Sequence, residues 1–157
     1  MSCESRIEQR LAAMGLSLPE APAKGGVYSC VKPLADKLYY FSGCGPLFGD
    51  EGPRGKLGRE LTIEQGQAAA QRTMLNVLAY LKAHLGNLDD IESFVKVLVF
   101  VACAEDFYDQ PAVANGATGL LKELYGEEIG LPTRSAIGAP ALPGNVPVEI
   151  EGIVRIK

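Results

Sequence analysis

Apolar positions along the chain repeat with a helical period in three stretches and with strand-like patterns between them. Ile7, Leu11 and Met14 recur at intervals of four and three, predicting a short amphipathic helix over Glu4–Met14 that Gly15 stops. Pro19, Pro22, Gly25 and Gly26 punctuate the next segment, Ser17–Gly26, which reads as loop. Two short strands are predicted after it, Val27–Lys32 and the aromatic-rich Lys37–Gly43, with Pro33-Leu34-Ala35-Asp36 as their hairpin connection. Gly43–Gly58 carries six glycines and two prolines and reads as a long loop, with a further short strand around Lys56–Leu57. The clearest element is a helix over Thr62–Leu85. Thr62 and Gln65 form a capping box, and Ile63, Ala70, Met74, Val77, Leu78, Leu81 and Leu85 make one apolar stripe that ends at Gly86.

Ile91–Cys103 is β-branched and aromatic, and Val97–Ala102 is apolar without alternation, which predicts a central strand buried on both faces. Pro111 sits near the first position of a second long helix, with Val113, Ala117, Leu120, Leu121 and Leu124 on its inner face and Gly126 at its end. Strands over Ser135–Ala139 and Val148–Ile156 complete the chain. In the last strand Val148, Ile150, Gly152 and Val154 alternate with Glu149, Glu151, Ile153 and Arg155, so both glutamates share a face. This order predicts an α+β fold, a mixed sheet with two long helices packed on one face. The other face then lacks a cover, and association through it is the natural expectation.

Composition narrows the classes. At 157 residues one domain is expected, with enough core to need no disulfide or metal staple. A net charge of −4 gives no basic footprint, so nucleic acid is not an expected partner. Cys3, Cys30, Cys44 and Cys103 form no C-x-x-C pair, and His84 is the only histidine, so no metal site is expected. The polar N-terminus lacks an apolar signal core and no apolar run reaches membrane-spanning length. A cytoplasmic location with free thiols is the expectation, and the cysteines read as small apolar fillers.

The candidate chemistry centres on Pro132-Thr133-Arg134-Ser135. A guanidinium matches a carboxylate bidentately, although an arginine at a strand entrance equally fits a surface or intersubunit ion pair. Glu149 and Glu151, two apart in an apolar strand, raise each other's pKa if buried, which suits a general base or water-orienting group; a solvated strand face is the plainer reading. Tyr28, Ser42 and Asn115 are uncharged hydrogen-bonding residues near element ends. The glycine-rich loop does not match a phosphate-binding loop.

Set in order, Gly26-Val27-Tyr28-Ser29, Phe41-Ser42-Gly43, Val95-Lys96-Val97 with Val99-Phe100-Val101, Asp106-Phe107, Pro132-Thr133-Arg134-Ser135, and Leu142-Pro143 with Val148-Glu149-Ile150-Glu151 resemble the RidA (YjgF) family. The N-terminal helix and the long glycine loop resemble its less-characterised members labelled endoribonuclease L-PSP. The resemblance divides the chain into an N-terminal helix-and-loop extension, residues 1–25, and a RidA-like domain, residues 26–157. It implies a chorismate-mutase-like fold assembled as a homotrimer, a trimeric barrel with sites in the clefts between subunits and no cofactor. It further implies hydrolysis of amino-acid-derived enamines or imines to 2-keto acids and ammonia. Arg134 would bind the substrate carboxylate of a small-molecule ligand and Glu149 would position the attacking water, while Tyr28, Ser42, Asn115 and the backbone of Ala136 line the pocket. Ala136 stands where archetypal members carry cysteine, Cys44 where glutamine is usual, and the Gly45–Arg59 loop is longer. The alternative is a non-catalytic trimer that binds small carboxylates as a sensor or scavenger. A ribonuclease, the family's older label, is disfavoured by the chain's acidity and shortage of histidine.

Overall fold

The computed structural model describes residues 4–157, so Cys3 lies outside the described residues. Three helices and five strands follow in the order α1 (Arg6–Ala13), β1 (Val31–Ala35), β2 (Leu38–Cys44), α2 (Ile63–Leu85), β3 (Ile91–Ala102), α3 (Gln110–Gly130), β4 (Thr133–Ala139) and β5 (Val148–Ile156). The strands form one mixed sheet in the order β1-β2-β5-β3-β4. Only β3 and β4 run parallel, joined by α3 as their crossover; every other neighbouring pair is antiparallel. The fold is α+β, and both long helices pack on the same face of the sheet.

Alternation sets that face. Val148, Ile150, Gly152 and Val154 of β5 are buried with Val97, Val99 and Val101 of β3, and the stripes of α2 and α3 close over them. The two helices approach closely at Gly116, where a Cβ would collide with the backbone of Gln67. The N-terminal end of α2 follows its sequence signal, whereas α1 begins at Arg6, not Glu4, behind a Ser5 cap. Ser5 and Glu8 make a capping box on α1, and Thr62 and Gln65 make one on α2. α1 docks its buried Ile7 and Leu11 beside α3, and the Asp89 carboxylate accepts from the backbone N–H groups of Arg6 (2.9 Å) and Ile7 (3.1 Å).

Several expectations need correction. β1 begins at Val31, not Val27, and Pro33 and Leu34 lie within it; the turn is Asp36-Lys37, with Lys37 at φ 59°. An edge strand tolerates proline because its outward N–H is not needed for pairing. Leu57 forms single bridges to Leu61 and Cys103, not a strand. Met14 is exposed at the C-terminal end of α1 rather than part of its buried stripe. α3 runs past Gly126 to Gly130, broken at Gly126 where φ is 80°. β3 is buried on its helix side only. Leu98 and Phe100 on the other side are half-buried, because only one helical layer covers the sheet.

The Gly43–Gly58 segment lies against α2. Arg72 stacks 3.8 Å from the Phe48 ring centre and donates to the carbonyls of Pro46 (3.0 Å) and Glu51 (3.1 Å). Asn76 donates to those of Gly45 (2.9 Å) and Leu47 (2.8 Å). These contacts bury α2 continuously from Thr73 to Leu81. Among the described residues, no helix is long and apolar enough to cross a membrane.

Candidate active site

The pleat of β5 turns Glu149 and Glu151 away from the helices, opposite Phe100 and Leu98 of β3. The two glutamates separate in environment. Glu151 accepts a hydrogen bond from the Tyr40 hydroxyl at 3.0 Å. Glu149 folds over β2 at a register shift between Phe41 and Cys44, where Gly43 leaves it room: a Cβ there would collide with the Glu149 carboxylate. Burial first, and then the charge of Glu151, push the Glu149 carboxyl above the usual glutamate range.

Glu149 forms one wall of a cavity of about 560 Å³, whose other walls include Tyr28, Ser42, Cys44, Asn76 and Tyr80. Pro22–Gly25 from the N-terminal loop and Gly45, Leu47 and Gly49 from the glycine loop complete its rim. The backbone of Ser42 is held from two sides: its carbonyl accepts from the Tyr80 hydroxyl (2.8 Å), and its N–H donates to the Cys30 carbonyl (2.8 Å). Tyr28 lies in the bend before β1, not on a strand, and its hydroxyl accepts from the Gly25 N–H at 3.0 Å. Burial, with Glu149 and Cys30 nearby, pushes the Cys44 thiol up to about 12, which keeps it protonated and inert at neutral pH.

Arg134 stands elsewhere. It pairs with Val97 in the β3–β4 ladder and points to the helix side, donating through Nη1 to Asn115 Oδ1 (2.7 Å) and Thr118 Oγ1 (3.2 Å) of α3. No described carboxylate lies within 4.0 Å of it: the ion pairs found are Arg6–Asp89, Lys82–Glu8 and Lys122–Glu127. The intrachain ion pair that an isolated arginine invites is therefore not made. Ala136, two residues on, packs partly buried against the core. The six predicted residues thus form two groups in one chain. Tyr28, Ser42 and Glu149 share the cavity, whereas Arg134, Asn115 and Ala136 lie at the β4 edge outside its walls.

Sequence reasoning missed Asn76 and Tyr80 as cavity residues. A signal existed: Ala69, Thr73, Asn76 and Tyr80 recur at helical spacing beside the apolar stripe of α2, and a polar residue held there needs a partner. Among the described residues, no group of three or more His, Cys, Asp and Glu side chains is placed to hold a metal.

This architecture recurs in known proteins. The family model described as "YjgF/chorismate mutase-like, putative endoribonuclease" matches residues 8–150. The chain belongs to the YjgF (RidA) family. Within it, Protein TCP17 of Trypanosoma cruzi is 37% identical over 154 residues, covering 97% of this chain and 95% of that protein. A 2-iminobutanoate/2-iminopropanoate deaminase of Dermatophagoides farinae is 30% identical over 142 residues, covering 90% and 95%. A crystallised Agrobacterium tumefaciens protein of unknown function superimposes with a TM-score of 0.89 at 36% identity, covering 97% of this chain and 93% of that one.

Proposed function

We propose that this protein hydrolyses reactive imines or enamines derived from amino acids, releasing a 2-keto acid and ammonia. The observation that carries the reading is Glu149: a half-buried carboxylate of raised pKa, on a cavity wall shared with Tyr28 and Ser42. Such a group can orient a water and accept its proton as the water oxygen adds to the imine carbon. The resulting carbinolamine expels its nitrogen, which leaves as ammonia once it has gained protons, and the C–O bond becomes the keto group. An imine carbon is already electrophilic, so positioning can supply most of the rate. Arg134 anchors the substrate carboxylate in this reading. Its guanidinium is held by neutral partners and keeps an uncompensated charge within the described chain. Because Arg134 and Glu149 belong to separate groups, the site is completed between copies of the chain, with the open sheet face as the association surface and a homotrimer as the assembly. The deaminase-named relative supports the reaction class.

The test is ammonia release from 2-iminopropanoate generated in situ. The protein should accelerate it, and Arg134→Ala, which removes the group that positions the substrate carboxylate, should lose about 100-fold in kcat/KM with little change in Tm. No acceleration with any amino-acid-derived imine would sink the proposal. The departures at Ala136 and Cys44 favour a second reading, a non-catalytic binder of small carboxylates. Glu149→Gln separates the two: it abolishes turnover in the first and leaves binding of small carboxylates largely intact in the second.

A further inference from the structure

We infer that Thr118 is a positioning residue for Arg134: with Asn115 it holds the guanidinium through Nη1 alone and leaves the Nε–Nη2 edge free to receive a planar two-oxygen anion. The inference rests on Arg134 being the carboxylate anchor.

A guanidinium carries its N–H donors in a rigid planar fork. In Arg134, Nη1 donates to Asn115 Oδ1 (2.7 Å) and Thr118 Oγ1 (3.2 Å), whereas Nε and Nη2 donate to no described residue. Neither is sealed from solvent. Among the described residues, Asn76 Oδ1 is the one buried side-chain nitrogen or oxygen without a partner, so the two unpartnered nitrogens of half-buried Arg134 lie open. That edge presents two parallel N–H bonds at the spacing of a carboxylate's oxygens.

The two acceptors are not equivalent. Three residues apart on α3, they share one helical face. Asn115 is exposed, so its amide is free to turn. Thr118 is 7% exposed, and its hydroxyl donates to the Ala114 carbonyl one turn back (3.4 Å). With its hydrogen committed there, Oγ1 meets Arg134 as an acceptor and fixes the plane of the guanidinium. Both acceptors are neutral, so the positive charge stays available to a ligand. Holding the plane in advance removes rotamer entropy that binding would otherwise cost. The same geometry sets specificity. A primary amide offers the fork one acceptor oxygen and turns its own N–H donors against the second N–H, so it forfeits a bond and the charge attraction together.

The experiment measures equilibrium binding of pyruvate, the keto acid that 2-iminopropanoate hydrolysis releases, and of its near-isosteric neutral amide, pyruvamide. Thr118→Val keeps the shape and removes the acceptor; Thr118→Ser keeps the hydroxyl and removes the methyl group. In the unmodified protein pyruvate should bind about 30-fold tighter than pyruvamide. Thr118→Val should cut that ratio about tenfold, and Thr118→Ser should retain it. A merely structural Thr118 predicts equal losses for both ligands, or more damage from Thr118→Ser than from Thr118→Val, and either result overturns the inference. Nuclear magnetic resonance decides the matter if Thr118→Val does not fold. The Nε–H signal that Arg134→Ala removes should move downfield as pyruvate saturates the unmodified protein, and a signal that stays in place overturns the inference. Pyruvate binding lost in Arg134→Ala, with the ratio unchanged in Thr118→Val, removes Thr118 from the site and leaves the carboxylate-anchor reading standing. Pyruvate binding that Arg134→Ala retains, or that the unmodified protein lacks, removes both.

Discussion

Gly43 matters because of its neighbour across the strand gap. A methyl group at this position would meet the flexible end of Glu149 rather than backbone, so the carboxylate can swing aside at small cost to the fold. Gly43→Ala is therefore expected to leave Tm almost unchanged while moving the carboxylate from the position in which the proposed mechanism has it orient a water. A displacement on the order of 1 Å costs about 100-fold in rate, readable as kcat in the imine assay. The same carboxylate carries a pH signature. Its pKa is raised by burial and then by Glu151, so the folded chain holds this proton more tightly than the unfolded chain does. The linked stability is fully present below the ordinary glutamate value of about 4.3 and is lost as pH rises through the raised folded value. Glu149→Gln cannot ionise. Its melting temperature relative to wild type should be higher at pH 7.5 than at pH 4; an offset that does not change with pH would contradict the assignment.

At the scale of elements, α2 links the core to the site. Its stripe and both its end signals were legible in the sequence, because a capping box and a C-terminal glycine act locally. Its second role was not legible. Arg72 and Asn76 hold the glycine loop by backbone carbonyls, which leave no residue pattern to read. The α2–α3 contact was equally hidden, since it depends on Gly116 meeting the backbone of Gln67. There nothing flexible can yield. Gly116→Ala should push the helices apart and cost about 3 kcal/mol, the upper end for overpacking, seen as a Tm lower by roughly 6–12 °C. The opposite error occurred at β1, where Pro33 suggested a turn although an edge strand accepts it.

At the scale of the whole molecule, the sheet has one face under helices and one without them. Ile137, Tyr40 and Leu34 are exposed, and Leu98 and Phe100 are half-buried. The proposed homotrimer would cover this face and bring Arg134 of one copy toward Glu149 of another. Ile137→Glu lies on that face, away from the cavity walls and clear of Arg134's partners. It should convert the assembly to single chains in sedimentation velocity and lose imine hydrolysis with it. A chain that is already single at micromolar concentration and still active would contradict the intersubunit site.

The amino-acid pattern alone determined the fold class, both long helices, the caps of α2, the last strand with its paired glutamates, and the family. Each of these follows from local periodicity, capping chemistry or ordered motifs. Tertiary structure decided the rest. It separated Arg134 from Glu149, because strand order and pleat, not sequence distance, set which side chains share a space. It also made Asn76 a cavity residue with a buried, unpaired oxygen, which only the docking of a loop onto a helix creates.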